Sequence, residues 1–391
     1  MQLSKRIAEL PNYPFAGLEK IVADLKKTGV KPIDFGVGDP ADPTPDFIRA
    51  AAQKSIDRHA ASGYPSYIGS ADFREAIAKW FARRFGVRLN SETEITSSIG
   101  SKEAIFHFPL AFVNPNDVVL IPTPGYPPYA RGCEFAGGKP YFLPLFKENN
   151  FLIDFAKIPA EMAKRAKILW LNYPNSPTGA IATDEFFETA VEFCRRNKII
   201  LASDLAYSEI YFGAKPKSIL EFTRKNVVEF HSFSKRSRMT GYRVGFVAGD
   251  AEILDGLKKV KTNIDSGTPN FLQDAAIAAF TDEQHVEKSI AEYREKRDIL
   301  TAAFESIGLE KCEPAATFYI WQRVPDGMTS EDFARKLLAP KIAVVATPGS
   351  WISDVTEDGA NPGEGFVRFA LVPTVAEVRE AAERIRRNLK F

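Results

Sequence analysis

Asp204 and Lys235, together with Tyr207 and Arg243, are the residues of this chain whose types and spacing suit a defined chemistry. A lysine held in a partly desolvated pocket near other cations loses its proton readily and becomes a usable amine nucleophile. Lys235 stands in Ser-Phe-Ser-Lys-Arg-Ser-Arg-Met-Thr-Gly-Tyr-Arg, residues 232–243. Arg243, at the end of that run, can grip a phosphate through two parallel hydrogen bonds, as a lysine cannot. Asp204 offers a carboxylate that can hold a pyridine nitrogen protonated and so make the ring an electron sink. Tyr207 can donate to a phenolate-type oxygen on the same ring. Together these groups describe a phosphorylated pyridine aldehyde bound covalently to a lysine. A second anion cradle lies at Gly100-Ser101-Lys102-Glu103-Ala104. A glycine followed by Ser, at the start of an apolar helical pattern, aims free backbone N–H groups at an anion. Tyr126, in Pro124-Gly125-Tyr126-Pro127-Pro128-Tyr129, can supply an aromatic face against the ring.

These residues need a scaffold that brings distant loops together. Val118–Ile121, Ile168–Leu171, Ile199–Ala202 and Val227–Phe230 are near-continuous apolar runs, as expected of strands covered on both faces. Helical patterns lie between them, such as Asp184–Asn197 with its stripe of Phe186, Phe187, Ala190, Val191 and Cys194. Alternating strands and helices predict a mostly parallel sheet, whose ligands gather beyond the carboxyl ends of the strands. Asp204 and Tyr207 follow the strand ending at Ala202, Ser232 and Lys235 the strand ending at Phe230, and Asn175 and Ser176 the Ile168 strand. The C-terminal part has a long helical pattern from about Asp282 to Ile307, strand-like Thr317–Trp321 and Ile342–Ala346, and a charged helix over Thr374–Leu389. The expected organisation is a large cofactor-binding α/β domain over 46–284 and a smaller α+β domain formed by 1–45 and 285–391.

Bulk properties point the same way. Hydrophobic residues make up 45% and charged residues 26%, with a formal net charge of +1, as in an ordinary soluble globular protein. No basic footprint for a nucleic acid is visible, so a small-molecule partner is expected. Cys133, Cys194 and Cys312 are widely separated, and His59, His107, His231 and His285 form no ligand pattern, so neither a disulfide framework nor a bound metal is expected. His107 and His231 are expected to fill core or near-site positions. The N-terminal segment lacks the apolar core of a secretory signal and no apolar run reaches the ~20 residues that span a bilayer, so a cytoplasmic protein is expected.

The ordered set of motifs resembles a fold-type I pyridoxal-phosphate enzyme of the class I/II aminotransferase family, over nearly the whole chain. The landmarks are Gly-Val-Gly-Asp-Pro at 36–40, Tyr64 to Gly69, Gly-Ser-Lys at 100–102, Pro-Gly-Tyr-Pro at 124–127, Pro-Asn-Ser-Pro-Thr-Gly at 174–179, Asp204 with Tyr207, Ser232 through Arg243, and Phe-Val-Arg-Phe at 366–369. The resemblance implies pyridoxal 5'-phosphate as cofactor, Lys235 as the Schiff-base lysine and proton shuttle, Asp204 at the pyridine nitrogen and Tyr207 at the ring hydroxyl. It implies Gly100, Ser101, Lys102, Ser232 and Arg243 around the phosphate and Tyr126 stacked on the ring. It further implies a homodimer with shared active sites, Tyr64 reaching the neighbouring subunit's phosphate, and Arg368 clamping the substrate carboxylate with help from the backbone of Gly38. One departure stands out. Where the family usually has Asn before Pro-Thr-Gly, this chain has Ser176 with Asn175 one position earlier, and either can take that place. Residues 124–129, 135–145 and 171–179 are most similar to those of LL-diaminopimelate aminotransferases, which exchange an amino group with 2-oxoglutarate/glutamate in lysine biosynthesis. By that likeness Tyr13 and Asn270 are candidates for the substrate side. Aspartate, alanine, aromatic and succinyl-diaminopimelate aminotransferases stay open as alternatives, and a β-lyase on the same scaffold is the different-class reading.

Overall fold

A computed structural model describes residues 2–8, 22–23, 25–27, 29–40 and 42–391 of the chain; Tyr13 lies outside the described residues. Its strands are β1 (Ile33–Asp34), β2 (Ile95–Ser98), β3 (Val118–Thr123), β4 (Lys139–Pro144), β5 (Ala166–Leu171), β6 (Ile200–Asp204), β7 (Val227–Ser232), β8 (Gly245–Gly249), β9 (Tyr319–Arg323), β10 (Val344–Val345), β11 (Thr347–Pro348) and β12 (Phe366–Ala370). Seven of them make the central sheet, in the order β2-β8-β7-β6-β5-β3-β4. All run parallel except β8, which is antiparallel to both neighbours. Between β7 and β8 the chain holds only a short helix, Phe233–Arg236, and one 3-10 turn, Thr240–Tyr242. That connection lacks the long helix with which a parallel crossover is usually built, so the chain folds back. The fold-back places the Lys235–Arg243 loop at the carboxyl end of β7.

The strands bury both faces, which is why they read as unbroken apolar runs. In β5, Ile168 and Trp170 enter one core with Val119, Ile121 and Phe230, whereas Leu169 and Leu171 enter the opposite core with Val118, Leu120 and Leu201. Covering helices carry their own stop and start signals. For Asp184–Asn197, the Thr183 hydroxyl accepts from Phe186 N–H, acidic residues fill the first turn, Arg195 and Arg196 the last, and Phe186, Phe187, Ala190 and Cys194 are buried. Such an N-cap contributes about 1 kcal/mol.

A separate core joins the C-terminal elements. The strands β11, β12 and β9 form an antiparallel sheet, and β1 pairs in parallel with β10, Ile33 opposite Val344. The helix Gln284–Ser306 packs on the last helix, Val375–Asn388, which opens on a reciprocal Thr374–Glu377 capping box. Leu300, Phe304, Phe318, Ile320, Val367, Phe369 and Ile385 fill this core. Backbone bonds from Phe35 N to Val345 O (2.9 Å) and from Ala370 N to Phe35 O (2.7 Å) fix the segment that carries Gly36 and Gly38 over the sheet edge. Arg238 ties three parts together, pairing with Asp42 at 3.4 Å and with Glu292 of the long helix at 2.6 Å. Among the described residues, no helix is long and apolar enough to cross a membrane.

Candidate active site

Asp204 is the last residue of β6 and is only 4% exposed. Its Oδ2 accepts from the Tyr129 hydroxyl at 2.7 Å and its Oδ1 from Ala206 N–H at 3.1 Å, while Asn172 Nδ2 donates to its backbone carbonyl at 2.9 Å. Tyr129 is held in turn by stacking on Trp170, with ring centroids 4.7 Å apart. Burial pushes the Asp204 carboxyl up to about 6, against the pull of Tyr129, Ala206 and the neighbouring His231. Removing a carboxylate from water without a formal cation beside it is costly, so this side chain is set to receive one.

Lys235 lies in the short helix Phe233–Arg236, whose first turn is capped by the Ser232 hydroxyl accepting from Ser234 N–H at 3.2 Å. Its Nζ donates to the Gly38 carbonyl at 2.6 Å and sits 5.3 Å from the Phe318 ring centre. Burial holds the amine below the usual lysine range; Tyr319 and Asp39 oppose that shift, and Arg243 and Arg368 reinforce it. A buried amine between two guanidinium groups is the environment that favours the neutral, nucleophilic form.

Two guanidinium groups lie near the amine. Arg243 adopts a left-handed backbone (φ +53°) and is anchored by Nη1 donating to Thr240 O at 2.7 Å. Its guanidinium lies against Gly100, where an added Cβ would come within 2.3 Å of Nη2. Gly100 itself has φ +72° and precedes the helix Ser101–His107, so glycine is needed there for both space and conformation. Arg368, on β12, donates through Nη2 to the Gly36 carbonyl at 2.7 Å and to the Thr347 hydroxyl at 3.3 Å. Its Nε is buried and has no hydrogen-bond partner among the described residues.

Tyr207 stands near Asp204 and Tyr319. Its hydroxyl lies 3.2 Å from that of Tyr319, and the nearby Ser176 side chain acts on the phenol in the direction that lowers it. Burial, first, and the neighbouring Tyr319 push the Tyr207 phenol well up. Tyr126 is near Asp204, Tyr319 and Arg243, and burial raises its phenol as well. Asn175 Oδ1 accepts from Thr178 N–H at 3.2 Å and from the Thr178 hydroxyl at 2.7 Å, which closes the 175–180 turn, while its Nδ2 is buried with no partner among the described residues. Of the two candidates for the position before Pro-Thr-Gly, Ser176 is the one whose side chain acts on Tyr207.

Lys235, Asp204, Tyr207, Tyr126, Arg243, Gly100, Gly38, Ser176 and Arg368 thus converge, with Ser101 and Ser232 at the starts of adjoining short helices. Three others stand apart. Lys102 is exposed, Tyr64 is 90% exposed, and Asn270 is joined to Gln273 of its own helix at 3.4 Å. Two residues of the cluster had no role in the sequence reading. Tyr129 lies within the Pro124–Tyr129 motif, but only the folded chain brings it to Asp204; Tyr319 lies within the strand-like Thr317–Trp321 run, which gives no sign of its partner.

The cluster suits pyridoxal phosphate on observations of its own. Among the described residues the buried Asp204 carboxylate and the Lys235 amine form no ion pair, and the Gly100 backbone leaves room only for the Arg243 guanidinium. An acid for a ring nitrogen, a grip for a phosphate, an amine for an aldehyde and Arg368 for a carboxylate are the parts such chemistry requires.

Known proteins identify the family. Residues 30–385 match the family model for aminotransferase class I and II. The chain is 47% identical to the LL-diaminopimelate aminotransferase of Aquifex aeolicus, with all of both chains covered, and 46% identical to that of Syntrophobacter fumaroxidans, with 98% of each covered. Among solved structures, substrate-bound BacF from Bacillus subtilis superposes with a TM-score of 0.90 at 34% identity, covering 100% of this chain and 99% of that one. An aminotransferase from Neisseria meningitidis gives the same score and identity over 98% of this chain and 99% of its own. The chain therefore belongs to the class I and II aminotransferases, and it is a pyridoxal-phosphate-dependent enzyme of that family.

Proposed function

We propose that this enzyme moves the amino group of LL-diaminopimelate to 2-oxoglutarate, with Lys235 as the residue that carries the cofactor. The observation that supports the lysine assignment is its buried amine, bonded to the Gly38 carbonyl and set between Arg243 and Arg368. The substrate assignment rests on full-length relatives at 44–47% identity that carry that name.

When bound, pyridoxal phosphate supplies an aldehyde that captures amines and a protonated ring that withdraws electrons from the substrate α-carbon. Asp204 holds the ring nitrogen protonated by placing its buried carboxylate beside it. Gly100, Ser101, Ser232 and Arg243 hold the phosphate, with Lys102 at its rim, while Tyr126 covers one ring face. Tyr207 donates to the ring oxygen. Arg368 would fix the substrate carboxylate beside the Gly38 backbone, its Nη2 held by Gly36 and Thr347 and its Nε without a partner among the described residues. Lys235 Nζ, whose burial and neighbouring guanidiniums shift it toward the deprotonated form, would accept the proton that leaves the substrate α-carbon.

The division into a large domain over 46–284 and a small domain of 1–45 and 285–391 belongs to this reading. So does a cytoplasmic homodimer in which exposed Tyr64 reaches the partner's phosphate and Asn270 and Tyr13 serve the substrate side. Amino-donor profiling with 2-oxoglutarate tests the substrate. LL-diaminopimelate should exceed aspartate, alanine, aromatic amino acids and succinyl-diaminopimelate in kcat/KM; a preference for any of these over LL-diaminopimelate refutes the assignment.

A further inference from the structure

Tyr319 occupies a position that touches four parts of the site. It lies on β9, which pairs with β12, and is 4% exposed. Its hydroxyl is 3.2 Å from that of Tyr207. The same hydroxyl is packed on the Gly38 backbone so closely that a Cβ there would come within 2.1 Å of it. The Arg368 guanidinium carbon stands 4.9 Å from its ring centre, and the rings of Tyr207 and Phe318 hold it edge-on and tilted at 5.8 and 4.6 Å. The ring is therefore fixed from several sides.

A phenol has one proton to give and lone pairs to receive. If Tyr207 spends its proton on the ligand's ring oxygen, its own oxygen can only accept from its protein neighbours. Those neighbours are the hydroxyls of Tyr319 and Ser176. We infer that Tyr319 is a positioning residue with two separable parts: its hydroxyl donates to Tyr207 and makes Tyr207 a stronger donor to the cofactor's ring oxygen, and its ring face orients Arg368 for the substrate carboxylate. The inference rests on the function proposed above. Hydrogen bonds in such a chain polarise one another, so each donor upstream of Tyr207 strengthens the next bond. A stronger donor at the ring oxygen stabilises its deprotonated form, which lowers the pH at which the cofactor–lysine adduct loses its proton.

The test uses the holoenzyme without substrate. The visible band of the adduct is titrated with pH in wild type, Tyr319→Phe, Ser176→Ala and Tyr207→Phe, and borohydride trapping checks that each adduct is on Lys235. Losing one neutral donor should raise the midpoint by about 0.5 to 1 pH unit in Tyr319→Phe, and in the same direction in Ser176→Ala. Added to Tyr207→Phe, the Tyr319→Phe change should produce no further shift, because its effect passes through Tyr207. For the ring, inhibition by succinate, an unreactive dicarboxylate, should stay within about twofold in Tyr319→Phe and weaken roughly five- to thirtyfold in Tyr319→Leu, which removes the cation–π contact. An unmoved midpoint in Tyr319→Phe with the adduct on Lys235, or a full shift that persists in the Tyr207→Phe background, overturns the relay. Equal succinate inhibition in the Phe and Leu variants overturns the orienting role. Absence of a Lys235 adduct in wild type overturns the proposed function instead, and this inference with it.

Discussion

The Tyr129 hydroxyl donates to Asp204 Oδ2 across 2.7 Å, and it is the leading influence that opposes the effect of burial on that carboxyl. Tyr129→Phe removes the donor and leaves the shape. The Asp204 carboxyl of the apoprotein should then titrate about one pH unit higher than in wild type. A carboxyl-resolved NMR titration reads this directly; an unchanged midpoint would contradict the electrostatic role given to Tyr129.

Asp204 also predicts how the apoprotein responds to pH. Its folded-state value, about 6, lies above its ordinary 3.8, so the unfolded chain ionises first. As pH rises through that window the folded state pays for holding a buried anion, and the apoprotein loses stability. The loss is complete above the folded-state value and amounts to roughly 3 kcal/mol at ~1.36 kcal/mol per pH unit. Chemical denaturation between pH 4 and pH 8 should show that fall in wild type and a much flatter profile in Asp204→Asn. The same variant should bind pyridoxal phosphate more weakly and lose most of its activity.

Much of this arrangement was legible before folding. The apolar runs of β3, β5, β6 and β7 and the helix Asp184–Asn197 announce a parallel α/β sheet, because burial on both faces leaves an unbroken apolar signature. Other strands were silent. In β2 the residues are Ile-Thr-Ser-Ser, and β8 is Gly-Phe-Val-Ala-Gly; hydroxyls and glycines carry little strand signal, and only the pairing of β8 with β7 and of β2 with β8 defines them. The site shows the same split. Lys235 and Arg243 declare themselves by spacing within one loop. The meetings of Tyr129 with Asp204 and of Tyr319 with Tyr207 bridge 75 and 112 residues, and no local pattern encodes them. For Ser176 and Asn175 the sequence likewise shows no contacts; only the folded turn reveals that Asn175 Oδ1 accepts from Thr178.

Gly38 should tolerate no side chain. A Cβ there meets the Tyr319 hydroxyl at 2.1 Å, and the residue's carbonyl is the acceptor for Lys235. Gly38→Ala forces Tyr319 or the 36–40 segment to move, at about 1–3 kcal/mol of stability. Its kcat/KM for the amino donor should fall at least about tenfold while the adduct on Lys235 still forms. Normal kinetics in Gly38→Ala would show that the close approach has no functional consequence.

The proposed sharing of active sites between subunits makes a prediction about mixtures. Lys235→Ala and Tyr64→Ala should each be severely impaired as homodimers. Equal amounts allowed to exchange subunits should regain about one quarter of wild-type activity, because half the dimers are mixed and each holds one complete site. No recovery, with mixed dimers present by native mass spectrometry, would place Tyr64 outside the partner's site.

Lys235→Ala separates binding from chemistry. The Arg243–Gly100 grip and Asp204 are untouched, so the variant should still bind pyridoxal phosphate, while turnover falls by about 10³-fold or more.

The account turns on one covalent link, and reduction followed by peptide mapping tests it most directly. Holoenzyme treated with borohydride and digested should yield a single peptide bearing the reduced phosphopyridoxyl group, with the mass increment on Lys235. A modification on any other lysine, or an unmodified Lys235 in fully active enzyme, would contradict it.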